Sequence, residues 1–126
     1  GKGADLVKTA SFMAGLKMIE TFDGDQTQEA WRPKVVYFSF QSQSLQPDLI
    51  VDVSDSWTTK MQAIRAFKSQ FHNPDSTEPE TYISNPEFLK MIESRGKEFG
   101  HSIQVQYGEG FNVERVIGVN DLFDLI

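Results

Sequence analysis

The feature that most constrains this chain is a pair of short apolar runs whose apolar residues do not alternate with polar ones. Lys34-Val35-Val36-Tyr37-Phe38-Ser39-Phe40 and Leu49-Ile50-Val51-Asp52-Val53 are rich in β-branched and aromatic residues. A strand with one wet face alternates, so these read as strands covered on both faces, as in α/β sheets. The polar connection over residues 41–48 is too short for a crossover helix. The two strands are therefore either antiparallel neighbours or partners of other strands.

Helical patterns surround them. In residues 5–16, Leu6, Val7, Ala10, Met13 and Ala14 recur at three- and four-residue steps, with Gly15 available as a left-handed cap. Residues 20–33 carry Gly24, acids and glutamines and read as a solvated loop that ends at Pro33. Trp57, Met61, Ile64, Phe67 and Phe71 then give the best-defined helical stripe, capped by Ser54 or Asp55. A loop rich in proline and acids over residues 72–80 leads to another start signal. Ser84 or Asn85 caps, Pro86 suits the first turn, and Phe88, Leu89, Ile92 and Phe99 form the stripe up to Gly100 as terminator. Beyond it, residues 103–107 and 113–119 are β-like, separated by Gly108-Glu109-Gly110. The order is that of an α/β domain that starts in mid-architecture. With no initiator Met, and Gly1-Lys2-Gly3-Ala4 already entering a helix, the expectation is a piece of a longer protein.

The 126 residues suit one domain or part of one, and 39% hydrophobic content can fill a core. A net charge of −6 opposes condensation on nucleic acid or anionic lipid, so neither partner is expected. No apolar run reaches the roughly 20 residues of a membrane span. The absence of cysteine removes disulfides, thiolate nucleophiles and Cys-based metal sites, and agrees with a cytoplasmic setting.

Chemistry-bearing motifs are few. A zinc site needs about three protein ligands, and the 2 histidines, His72 and His101, have no second His or Cys at helical or turn spacing. Both read as ordinary surface or half-buried side chains, and no metal ligand is expected in this chain. Asp75, Glu78 and Glu80 lack the alternate-residue spacing of a calcium loop. Gly108-Glu109-Gly110 lacks the third glycine and the following helix of a phosphate-binding turn. Lys68-Ser69-Gln70 offers three polar groups in a row with no base beside Ser69. Tyr82, in a proline-bounded loop, has a phenol that could reach a cleft and donate to a developing oxyanion, although loop tyrosines more often simply pack.

Several segments together carry a resemblance. Ala14-Gly15-Leu16-Lys17, the run from Val51-Asp52-Val53-Ser54-Asp55-Ser56-Trp57 through Lys68-Ser69-Gln70-Phe71, and Glu78-Pro79-Glu80-Thr81-Tyr82-Ile83-Ser84-Asn85-Pro86-Glu87-Phe88 resemble the C-terminal half of the LmbE/PIG-L deacetylases. Tyr107-Gly108-Glu109-Gly110-Phe111 is similar to a stretch of the bacillithiol-biosynthesis branch, which deacetylates N-acetylglucosaminyl malate. The likeness runs in order over nearly the whole chain.

The resemblance implies the C-terminal portion of a Rossmann-like three-layer α/β/α sandwich, with residues 1–126 as part of a single deacetylase domain. It implies zinc-dependent hydrolysis of an N-acetyl group on an amino sugar. The family's zinc ligands lie in a His-Pro-Asp-Asp motif and a later His-x-x-His, and neither occurs here. Zinc is thus expected in the complete enzyme but not on this chain, which alone should be inactive. Tyr82 matches the family's oxyanion-binding tyrosine, and Lys68, Ser69 and Gln70 match its Lys-Ser-Gln-Phe stretch as cleft-lining or substrate-binding residues. The open strands and helix faces of such a piece imply a homo-oligomer. The competing expectation is a non-catalytic interaction or regulatory module on the same fold.

Overall fold

The computed structural model describes residues 1–40, 46–75, 77 and 79–126. Most of the 41–48 connection and Glu78 of the acidic loop therefore lie outside the described residues. The architecture is mixed α/β, with three α-helices and two small antiparallel sheets among the described residues. No helix among them is long and apolar enough to cross a membrane.

The N-terminal region opens with α1 (Lys2–Met13), a little earlier than its periodicity suggests. Its cap residue Ala14 is right-handed at φ −58°, so Gly15 is not the left-handed cap that its position suggested. Gly15 instead makes room: a Cβ there would lie 2.5 Å from Arg32 Nε. Residues 20–33, expected as a plain loop, contain a hairpin of β1 (Thr21–Asp23) and β2 (Gln26–Gln28). Gly24 sits at φ +58° in the first central turn position, a conformation glycine adopts at no steric cost.

The second sheet holds β3 (Tyr37–Ser39), β4 (Leu49–Asp52) and β5 (Gly108–Val113) in the order β3-β5-β4. The two apolar runs are thus not neighbours. Each pairs antiparallel with β5, with Ser39 and Leu49 both opposite Phe111. The central strand is the glycine segment that the sequence presents as a break between two β-like stretches, and sterics explain it. Gly108 and Gly110 share one face, where Cβ atoms would meet Ile50 Cγ2 at 2.6 Å and the Phe99 ring at 2.8 Å. The two glycines on that face let the helix above lie directly on the strand.

That helix is α3 (Pro86–Ser102), capped by Asn85, whose Oδ1 accepts from the Glu87 N–H at 2.8 Å. Gly100 does not end α3; it is buried within it, where a Cβ would stand 2.8 Å from the Tyr107 backbone. The shorter α2 (Trp57–Ala66) has Ser56 rather than Ser54 or Asp55 at its cap. It anchors through Trp57, 7% exposed, whose ring stacks on Tyr107 at 4.3 Å and covers Gly96. Lys60 closes this corner with an ion pair to Glu109 at 2.8 Å.

Ser54 ties the β4 exit to β5. Its hydroxyl donates to Asp52 Oδ1 at 2.6 Å and accepts from the Tyr107 N–H at 3.1 Å. The Ser54 hydroxyl and N–H hold the Asp52 carboxyl below the usual carboxylate value. The Val113 N–H and the Asn112 amide do the same for Asp48.

Cover on both sheet faces, expected from the apolar runs, is not what the fold provides. α3 covers one face, whereas Tyr37 and Val51 remain 54% and 43% exposed. The α1 stripe is also open, for α1 buries no residue. The chain exposes 10412 Å², against about 6,800 Å² for a compact monomer of 14.3 kDa.

Candidate functional site

Between the C-terminal end of α2 and the N-terminal end of α3 lies a cleft of about 780 Å³. One wall is the turn that follows α2. Phe67 breaks the helix at φ −85°, ψ 67°, and Gln70 and Phe71 donate back to its carbonyl at 3.0 and 3.1 Å. Lys68, Ser69 and Gln70 therefore sit in a turn just past the helix rather than on its last turn. The other wall is the segment entering α3, tightened by Thr81 and Ser84. The Thr81 N–H donates to Ser84 Oγ at 2.8 Å, and the Ser84 N–H donates to Thr81 Oγ1 at 3.3 Å. This reciprocal turn follows from short hydroxyl side chains three residues apart.

An aromatic ladder holds the walls together. Phe71 stacks on Phe88 of α3 at 5.9 Å, and Tyr82 meets the same Phe88 ring edge-on at 5.3 Å. Offset and edge-to-face pairs of this kind contribute about 0.5–1.5 kcal/mol each beyond area burial. The ladder fixes the Tyr82 ring at the cleft margin while leaving it 64% exposed. Among the described residues its hydroxyl donates no hydrogen bond, so the phenol is available to a ligand.

The structure brings Lys68 and Ser69 together in the cleft lining with His72, Glu80, Thr81 and Ser84. Gln70 and Tyr82 are not lining residues; Tyr82 adjoins the cleft through its neighbour Thr81. The sequence weighs His72 only as a metal ligand and Ser84 only as a helix cap, and Thr81 not at all as a site residue. The one local signal for Thr81 and Ser84 is the Thr-x-x-Ser spacing ahead of Pro86, which marks a hydroxyl-stabilised turn. Hydroxyls, one amine, one carboxylate and one imidazole around a space of this size suit a small, hydroxyl-rich ligand, since they donate and accept at close spacing.

The same residues do not make a zinc site. Among the described residues no three His, Asp or Glu side chains converge to hold a metal. His101 lies in the last turn of α3, whereas the cleft abuts Pro86 in its first turn. At 1.5 Å per residue that separates the two histidines by roughly 20 Å along the helix. They cannot serve one ion.

No protein-family model matches this chain.

Proposed function

We propose that this chain is the C-terminal part of a zinc-dependent N-deacetylase acting on an N-acetylated amino sugar. N-acetylglucosaminyl malate is the substrate indicated by the sequence resemblance, in a cytoplasmic bacillithiol-type biosynthesis. The observation that carries the reading is the cleft beside Tyr82, where the Lys68-Ser69 turn and the Thr81–Ser84 turn face each other with hydrogen-bonding groups suited to sugar hydroxyls. In this reading Lys68 and Ser69 hold the sugar, and Gln70 supports their turn. The Tyr82 hydroxyl donates a hydrogen bond to the acetyl carbonyl oxygen as that carbon becomes tetrahedral, a contribution of about 2.7–4 kcal/mol where such donors have been removed. Zinc ligands and the general base would come from residues outside this chain, as the sequence resemblance implies.

The wider architecture proposed is a Rossmann-like three-layer α/β/α sandwich completed by strands and helices outside the chain. The uncovered α1 and the excess exposed surface support such completion, in which the antiparallel β3-β5-β4 sheet would be the antiparallel portion. In isolation those surfaces favour association into a homo-oligomer.

The test is acetate release from N-acetylglucosaminyl malate with added zinc. The isolated chain should show no turnover, and the complete protein should turn over. In the latter, Tyr82→Phe should lower kcat about 100-fold with little change in KM. Turnover by the isolated chain, or an unchanged kcat in the Phe variant, contradicts the proposal. A complete protein with no deacetylase activity favours the non-catalytic interaction module instead.

A further inference from the structure

α1, residues 32–36 and residues 114–115 line a second cavity of about 550 Å³. Its walls reverse the sign of the protein. The chain carries a net charge of −6, yet Lys8, Arg32, Lys34 and Arg115 line this cavity against the single carboxylate of Glu114. Four cations less one carboxylate leave a local excess of three positive charges. Phe12 and Val35 supply apolar wall between them. Grouping like charges costs Coulomb energy unless an anion offsets it, and a concave site raises the local concentration of such an anion.

Arg32 is built into place. Its Nη2 donates to the Phe12 carbonyl at 3.1 Å, its guanidinium lies 4.8 Å from the Phe12 ring centre, and its stem fills the space left by Gly15. The neighbouring Trp31 N–H donates to the Ala14 carbonyl at 2.9 Å and holds the backbone. A guanidinium so fixed has spare N–H groups in a planar fork, the arrangement that binds carboxylate or phosphate through two oxygens at little entropic cost. Lys8 is already paired with Glu114. Lys34 and Arg115 form no ion pair among the described residues.

We infer that this cavity is a binding site for a small organic anion, a carboxylate or phosphate group on a compact apolar body. The anionic group docks on Arg32 with Lys34 and Arg115 at the rim, and the apolar body lies against Phe12 and Val35. The site stands apart from the cleft beside Tyr82 and does not depend on the deacetylase reading.

The experiment is titration of the 126-residue chain with phenyl phosphate, followed by calorimetry and by the fluorescence of the adjoining Trp31. Phenylacetate, inorganic phosphate and benzyl alcohol serve as parallel probes. Phenyl phosphate should saturate with a Kd of about 1 mM or below. Inorganic phosphate and benzyl alcohol, each lacking one half of the ligand, should bind at least about tenfold more weakly. The response to phenylacetate separates carboxylate from phosphate preference within the site. Arg32→Gln should weaken phenyl phosphate about tenfold or more, and raising ionic strength should weaken it further. Because Arg32 also braces α1, Lys34→Gln and Arg115→Gln provide variants without that structural contact, and each should weaken binding severalfold. Absence of saturable phenyl phosphate binding, or unchanged affinity in all three variants, overturns the inference. So does an apparent Kd that rises with protein concentration, since a carboxylate from a second copy would then be the occupant.

Discussion

The glycines of α3 and β5 and, Gly15 apart, those of the N-terminal region are used in opposite ways. In the C-terminal region Gly96, Gly100, Gly108 and Gly110 are all buried, and each would place a Cβ within 3.0 Å of a ring, a side chain or a backbone. There, missing side chains let α3, β5 and Trp57 approach as closely as backbones allow. In the N-terminal region Gly3 and Gly24 have nothing within 4 Å, α1 buries no residue, and Leu6 and Phe12 are 70% and 57% exposed. The lesson is that one chain carries a closely packed contact of α3, β5 and Trp57 beside an exposed apolar surface on α1.

The sharpest way to break that contrast is with the two tryptophans. Trp57→Ala, at 7% exposure, should cost about 3–5 kcal/mol in urea unfolding. Trp31→Ala, at 69% exposure, should change stability by only about 0.5 kcal/mol. Similar losses from both would mean that the N-terminal region packs as tightly as the C-terminal one.

Two helical glycines make the next comparison. Gly100→Ala drives a methyl group to 2.8 Å from the Tyr107 backbone, which cannot swing aside, and should cost about 1–3 kcal/mol. Gly3→Ala enters open space in α1 and should stabilise by about 0.5–1 kcal/mol. Thermal melts of both variants check the signs, and a loss in each would contradict the open reading of α1.

Smaller in energy, but pointed at the uncovered surface, is Leu6→Glu. Leu6 is 70% exposed, so unfolding stability should move by less than about 0.5 kcal/mol. Self-association should nevertheless weaken. Sedimentation equilibrium at micromolar concentration should show wild-type chain heavier than 14.3 kDa and the variant closer to that mass. A wild type that sediments as a monomer would show that the open face needs no second copy.

The smallest effect concerns pH. Asp48 and Asp52 have carboxyl pKa values lowered below the ordinary 3.8, Asp48 by the Val113 N–H and the Asn112 amide, and Asp52 by the Ser54 hydroxyl and N–H. A lowered folded pKa means stability that is present above the unfolded value and lost as pH falls through the folded one. The Tm should therefore decline below about pH 4, and Asp52→Asn should make that decline shallower. Asp48 anchors β5 directly and Asp52 acts through Ser54 on Tyr107 just before it, so an unchanged acid profile would remove them from the account of how the C-terminal sheet is held.

Much of this was legible from neighbours in sequence. Asn85-Pro86-Glu87 marked the start of α3, and the spacing of Trp57 and Met61 marked the buried face of α2. Lys68 and Ser69 were singled out as polar groups near a helix end, and they line the cleft. Their partners Thr81 and Ser84 were not, because nothing local says which two loops will face one another. Gly108-Glu109-Gly110 misled for a related reason: glycine serves equally as a break and as a place where two backbones touch.

The sequence by itself determined the helices, the apolar runs, the acidic balance and the absence of cysteine chemistry, since each depends on residues a few positions apart or on composition alone. Tertiary structure alone decided that a glycine segment is the central strand, that the two apolar runs flank it, and that four basic side chains surround one cavity. Those outcomes depend on residues tens of positions apart, such as Tyr37 with Val113 and Lys8 with Glu114. Local propensity does not encode such pairings; they follow from which surfaces close against each other once the chain has paid the entropy of bringing them together.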